Sequence, residues 1–418
     1  MKTKQKIYPW IIILAVGLLA SVMEDTFTGM ISLFLDPLVK SMGASLTVTS
    51  MYYTIVNLAL AATMPLVGRF IEKINLTFTI LAAIIIGSGS IFLLSHASNI
   101  WTMYILAAVI GVCCGFSGLV IQGIVINNWF EKRRNFAFTA ASFVATIYLL
   151  IMTPATTLMI ANIGWRTTMM ILSIIALVVG IPSALVIRLK PEKIGLKPYG
   201  YDLSSEEEED TEEDKSSGSF SSKTVIFSGA FLIVLLFFIF IAFASNINQL
   251  FPTYATSVGF GSTTGGLMET IMTAVDIVIA PIFAFTTDKF GGRKALPVWL
   301  FGGFLTFILL ITATNTHTVA FALVAAVGAD ILTDIYGPGQ QIFARDMFGE
   351  AFDIGYSYVN TITYILAAFA VPLLSMIYDS TKTFNAVFMF GAILIAGMIL
   401  LVFIGRKYRF NKKPDQVK

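Results

Sequence analysis

The sequence predicts an all-α membrane protein of twelve transmembrane helices arranged as two six-helix pseudo-repeats. Three observations carry that expectation. Of 418 residues, 56% are apolar and only 12% are charged, about half the charged fraction that a soluble domain needs to cover its surface. The apolar residues form continuous blocks of about 20, the length of a helix that crosses roughly 30 Å of hydrocarbon, and lack the alternation of a barrel strand. One long hydrophilic segment then divides the blocks six and six.

Taken in order, the first block begins near residue 8 behind a Lys-rich stub. It has no small-residue cleavage site and reads as a retained helix rather than a signal peptide. Blocks two to six begin near 46, 77, 101, 136 and 165, each after a short polar or Gly/Pro-containing turn. Cys113 and Cys114 are adjacent inside the fourth; neighbouring cysteines seldom reach bridge geometry, so they read as packing thiols. Residues 190–223 are hydrophilic and contain EEEEDTEED at 206–214, a density of like charge that reads as a solvated, self-repelling linker. Blocks seven to twelve begin near 224, 260, 296, 317, 353 and 384. The expected division is an N-terminal half (1–189), the linker (190–223), a C-terminal half (224–405) and a tail (406–418).

Lysines and arginines set the orientation. With both termini in the cytoplasm, all of the 27 except Lys40, Arg166 and Lys382 fall on the cytoplasmic side. The net charge of +2 carries little information beside that asymmetry. The expected location is the cell membrane, as a multi-pass protein.

The two halves share sequence. MPLVGRFIEKI (64–74) and APIFAFTTDKF (280–290) align without a gap, pairing Pro65 with Pro281, Glu72 with Asp288 and Lys73 with Lys289. WFEKRRNFAF and MFGEAFDIGY begin a second matching pair, whose helices reach Pro154 and Pro372. His96 and His317 occupy matching outer turns. Parallel six-helix repeats of this kind are an architecture of secondary transporters.

With these motifs the chain resembles the major facilitator superfamily. GRFIEKINLTF is similar to that family's loop between helices 2 and 3, and TDKFGGRK to its counterpart in the second half. NNWFEKRRNFAF, GWRTTMMIL and RLKPEKIGLKPYG are similar to the branch of oxalate/formate exchangers and monocarboxylate carriers. The resemblance implies that helices 1, 4, 7 and 10 line a cavity, with 2, 5, 8 and 11 beside them and 3, 6, 9 and 12 peripheral. It also implies that Glu72, Lys73, Asp288, Lys289 and Arg293 form a conformational lock at cytoplasmic helix ends. GWR at 164–166 and Gly337-Pro338-Gly339 read as packing or bending elements.

Ionisable residues within a membrane are costly and usually face a water-filled path or a partner. Here they are Glu24 and Asp25 in the first block, Glu269 and Asp276 in the eighth, and Asp330 and Asp334 in the tenth. The peripheral blocks have none in their interiors. Asp330 and Asp334 are four apart and Glu269 and Asp276 seven apart, so each pair shares a helix face. Glu24 and Asp25 are about 100° apart on a helix; one is expected to face the outer cavity and the other a neighbouring helix or the rim. These six acids are the candidate substrate and proton pathway, with Asp276 foremost. Gln122, Asn246, Asn248, Gln249 and Asn360 are candidates to orient a solute, and Asn127 and Asn128 read as either solute groups or caps.

The resemblance also contains a contradiction. Where the monocarboxylate and oxalate carriers have an Arg before the helix 8 proline, this chain has Ala280; where the oxalate exchangers have a helix 11 Lys it has Thr361; and Gly29 stands about where monocarboxylate carriers have a helix 1 Lys. A dianion such as oxalate would be buried unpaired beside six acids. A weak organic acid moving with protons, a neutral or zwitterionic solute, and a cation remain.

The expected activity is secondary active transport of a small organic solute by alternating access, coupled to protons, an organic acid being favoured by the resemblance. Uniport or exchange of a neutral, zwitterionic or cationic solute is the alternative, and a transporter-like nutrient sensor signalling through the acidic linker is a third. No phosphate-binding glycine loop followed by Lys-Ser/Thr occurs, which disfavours a primary pump. Neither histidine lies in a helix core and no metal-ligand cluster is visible, which disfavours an enzyme. The expected partners are a small-molecule substrate, protons and the lipid bilayer, with no nucleic acid, cofactor or metal, and the chain is expected to be a monomer.

Overall fold

Each apolar block closes its own backbone hydrogen bonds by coiling, which is the condition for entering hydrocarbon. The computed structural model describes residues 2–201 and 220–410, with side chains for all of these except 2–6 and 72. The acidic run at 206–214 and the tail beyond 410 lie outside the described residues.

The crossings are α1 (Ile7–Gly29), α2 (Leu46–Ile71), α3 (Leu76–Ser95), α4 (Ile100–Trp129), α5 (Arg134–Ile163), α6 (Trp165–Val186), α7 (Gly229–Ser257), α8 (Ser262–Phe290) and α9 (Gly292–Thr316). Val319–Ala367 follows as a single apolar stretch of 49 residues, too long for one crossing at about 20 residues each. Gly349, at φ +54°, ends a helix at Phe348 and a new one starts at Phe352. The stretch therefore supplies α10 (319–348) and most of α11 (352–381), and Phe384–Gly405 is α12. With those two separated, the eleven long apolar stretches become the expected twelve helices.

Polar side chains cap the starts of the helices in the outer and inner turns. Asn75 and Asn99 accept from the amides of Thr77 and Thr102, and Ser228 from that of Phe231, which satisfies donors that otherwise have no intrahelical partner. Glycines permit the closest crossings. A Cβ at Gly111 would lie 2.4 Å from the Val56 carbonyl, and one at Gly17 2.6 Å from that of Ala141, so backbones of α2 and α4, and of α1 and α5, touch directly.

The chain forms two compact units, Met1–Ala44 with Met51–Thr211, and Ser45–Ser50 with Glu212–Lys418. In the first, Arg166 donates to the carbonyls of Ser95 and Ala97 and to Ser41 Oγ while stacking on Trp165. The GWR motif is thus a packing element that ties α6 to the turn after α3. The segment after α6 also packs: the Tyr199 amide donates to the Trp129 carbonyl, and Trp129 Nε1 to the Arg188 carbonyl. The segment from Arg188 to Tyr199 therefore folds back on the end of α4, mostly within a stretch expected to be linker.

The first turn of α2 belongs to the second unit through Asp379, whose Oδ2 accepts from both the amide and the hydroxyl of Thr47 at 2.8 and 2.6 Å. This is an N-cap supplied from another helix. Asp379→Ala is expected to lower stability by about 0.5–2 kcal/mol, read as an earlier thermal melt, whereas Asp379→Asn, which keeps an acceptor oxygen, should lose much less.

Candidate functional site

In the first unit the acids sit where α1 changes its winding. Ser21–Gly29 is a π turn, closed by the Met30 amide donating to the Asp25 carbonyl five residues back at 3.1 Å. Hydroxyls compete for the helix carbonyls along this stretch: Ser21 donates to Gly17, Thr26 to Ser21 and Thr28 to Glu24. Such back-bonding loosens the regular ladder. Outside partners take other carbonyls, the Tyr52 hydroxyl donating to Phe27 and the Cys114 thiol to Met23.

α4 is interrupted opposite this turn. Its first part ends at Gly115, residues Phe116–Gly118 form a break, and a second helix starts at Leu119. The Leu119 amide donates to Glu24 Oε2 at 2.9 Å. Among the described residues Glu24 therefore meets no side-chain cation but the positive end of a helix, where unsatisfied N–H groups favour an anion. Gly118 makes this possible, since a Cβ there would lie 1.9 Å from that same oxygen. Of the two alternatives for the acid pair, Glu24 meets a neighbouring helix. Asp25 is half-buried, with no side-chain hydrogen bond among the described residues, near the Thr26–Tyr148 hydroxyl pair. Gln122, one turn into the second part of α4, is 3% exposed, and its amide nitrogen has no partner among the described residues.

The second unit repeats the arrangement. α7 tightens into a 3-10 turn at Asn246–Leu250, and α10 widens into a π turn at Ile335–Gly339. Pro338 cannot donate to the Asp334 carbonyl four residues back, so the register slips by one residue. Asp330 and Asp334 lie in the helical turn before it, 2% and 6% exposed, and Oδ2 of each has no hydrogen-bond partner among the described residues. Asp276 of α8 is half-buried and acts electrostatically on both. The structure thus brings three of the six acids together. Glu269 makes an interaction of its own. Among the described residues no three His, Cys, Asp or Glu side chains are placed to hold a metal ion.

The solute-orienting candidates divide. Asn246 donates to the Ala242 carbonyl of its own helix and Asn128 to that of Ile124, so both support local backbone. Asn248 reaches Met272 Sδ at 3.6 Å, Gln249 has a partner, and Asn360 and Asn127 are exposed. Gln122 alone among them combines deep burial with a free donor. Among the lock residues, Arg293 Nε donates to Asp346 Oδ1 at 2.7 Å, and Arg409 donates to the other oxygen. Asp346 is the acid that sequence reasoning missed, lying one residue after Arg345 in a polar helix end that carries no repeat. Asp288 is exposed without an ion pair among the described residues, Lys289 lies over the Phe285 ring, and Lys73 is exposed. The side chain of Glu72 lies outside the described residues.

Helices α1, α4, α7 and α10 are thus all interrupted within their apolar lengths, and all the deeply placed acids except those of α8 adjoin an interruption. Irregular backbone at membrane depth is tolerated where it serves a binding site or a path. These features define a polytopic transporter. The model of the Major Facilitator Superfamily matches residues 17–333 and 233–418, and the chain belongs to that family; it is a transporter and not an enzyme.

No curated protein matches the chain. Among solved structures it is similar to a bacterial homologue of the human lysosomal transporter Spinster in an inward-facing, occupied conformation, with TM-score 0.72 and 14% identity over 97% of this chain and 99% of that one. It is likewise similar to the nucleoside transporter NupG, with TM-score 0.73 and 10% identity over 97% and 100%. At these identities the likeness is one of fold.

Proposed function

We propose that this protein is a proton-coupled secondary transporter that carries a small organic solute across the cell membrane by alternating access, with both termini in the cytoplasm. The observation that carries the proposal is the Asp330–Asp334 pair, buried, with an oxygen on each carboxyl that has no hydrogen-bond partner among the described residues, and within electrostatic reach of Asp276. No Lys or Arg occurs between 262 and 288 or between 319 and 344. Carboxylates in such a place need a positive partner that arrives from elsewhere. A proton meets that need without the converging ligand geometry that a metal requires.

The resemblance to the oxalate/formate and monocarboxylate branch favours an organic acid, which would enter with its charge compensated by protons. A second reading, a neutral, zwitterionic or cationic solute, is supported by Ala280, Thr361 and Gly29 standing where that branch has cations. Asp276 is assigned the exchange of protons with the Asp330–Asp334 pair, since it is the least buried of the three.

Internal pH in proteoliposomes tests both parts as organic acids, neutral solutes, amino acids and amines are added outside. The expected result is acidification with one class only, lost in Asp276→Asn. Labelled uptake of a solute with no pH change, or accumulation by Asp276→Asn that still depends on a proton gradient, would refute the assignment.

A further inference from the structure

A cavity of about 470 Å³ lies at the surface of the first unit, between α2, α3 and α4, and none of the six intramembrane acids is among its lining residues. Its lining is apolar apart from Thr79 and the Cys113 thiol. Phe70 and Ile74 line it from the end of α2 and the turn after it, Phe78, Ala82 and Ile86 from α3, and Ala108 and Val112 from α4. Thr79 also lines it, but its hydroxyl donates to the Asn75 carbonyl of its own chain segment. A polar solute would find nothing to bond there.

From Phe78 to Ile86 the groove follows α3 for about 12 Å, at about 1.5 Å per residue, and its apolar lining along that length suits a hydrocarbon chain. The volume is within the roughly 300–1,000 Å³ of ligand pockets.

Charge marks one end. Arg69 and Lys73, one helical turn apart and both exposed, immediately precede the lining residues Phe70 and Ile74. Arg188 adds a third cation near the same end, its guanidinium 3.4 Å from the Thr77 hydroxyl, one residue before Phe78. Long basic side chains at a helix end reach to the level of lipid phosphates. We propose that this groove is a binding site for an anionic phospholipid, with an acyl chain along α3 and the phosphate between Arg69 and Lys73. On the orientation proposed above, the lipid comes from the inner leaflet.

The site has a connection to the acids of the first unit. Phe116, the first residue of the α4 break, lines the groove at its basic end with its ring 5.3 Å from that of Phe70. Two residues on, Gly118 and Leu119 hold Glu24. A chain packed on Phe116 braces the segment on which Glu24 docks.

Native mass spectrometry of the full-length protein in detergent, with added phosphatidylglycerol or phosphatidylcholine, tests the proposal without reference to transport, so its outcome is independent of proton coupling. Wild type should retain phosphatidylglycerol in preference to phosphatidylcholine. Ala108→Phe, which adds a ring at a lining position, should lose it, while Val178→Phe, on the exposed face of α6, should not. Arg69→Gln with Lys73→Gln should lower the affinity for the anionic lipid about fivefold for each base removed. Equal retention in Ala108→Phe and wild type, an unchanged lipid preference without the two bases, or a dimer that Ala108→Phe abolishes would each overturn the assignment.

Discussion

Gly118→Leu is expected to yield little folded protein, whereas Gly123→Leu, five residues further along the same helix, is expected to fold and melt near wild type. A Cβ at 118 would lie 1.9 Å from Glu24 Oε2 and 2.9 Å from the Cys114 carbonyl, while one at 123 would meet nothing within 4 Å. The 118 substitution displaces the carboxylate from the Leu119 amide and strains the turn in which the Gly118 amide donates to the Cys114 carbonyl at 2.8 Å. Overpacking of this kind costs about 1–3 kcal/mol, and loss of the N-cap adds about 1 kcal/mol. Even Gly118→Ala should melt lower, because the first added carbon makes the clash. Glu24→Gln, which keeps an oxygen for the Leu119 amide, should be milder than Glu24→Ala. A Gly118→Ala protein with the thermal melt of wild type would show that Glu24 does not hold α4.

Asp330→Leu should behave in the opposite way, keeping or raising stability while abolishing accumulation of solute against its gradient. A buried polar group without its partner costs about 1–3 kcal/mol, and a hydrophobic side chain of similar volume removes that cost. Asp330 is 2% exposed with an unpartnered oxygen, beside Asp334 and within reach of Asp276. If it carries protons, its removal leaves solute binding intact and ends the coupling. Thermal melting and substrate-driven proton uptake, measured on the same reconstituted sample, separate the two effects. A lower melt with coupling preserved would assign Asp330 a structural hydrogen bond and refute its place in the pathway.

These two acids also show how much of the molecule is legible along the chain. Asp330 and Asp334 could be picked out because their spacing of four puts them on one helix face, and because a charge inside an apolar block is costly wherever that block goes. Asp276 was linked to them only in three dimensions. Glu24 was equally visible, but its partner is a backbone amide at the start of a half-helix, and no side-chain inventory contains that group. The GFSG at 115–118 reads as one more stretch of a long apolar block; the break becomes evident only when Glu24 is seen to occupy the end it exposes. The π turn at Ile335–Gly339 was foreshadowed by Pro338, whereas that at Ser21–Gly29 depends on several hydroxyls and on Tyr52 and Cys114 reaching in from other helices. Arg293 was expected in a lock at cytoplasmic helix ends with no partner named for it, and the structure supplies that partner as Asp346 at the end of α10.

By itself the sequence determined the twelve apolar crossings and their grouping into a repeated six, because hydrocarbon leaves a backbone no option but to coil over about 20 residues. It also determined that the buried charges are all acids. Only the tertiary structure decided which acids meet, which one caps a helix, where the crossings are interrupted, and that an apolar groove ends beside two bases. Those outcomes rest on contacts of a few ångströms between segments far apart in the chain, and local periodicity carries no record of them.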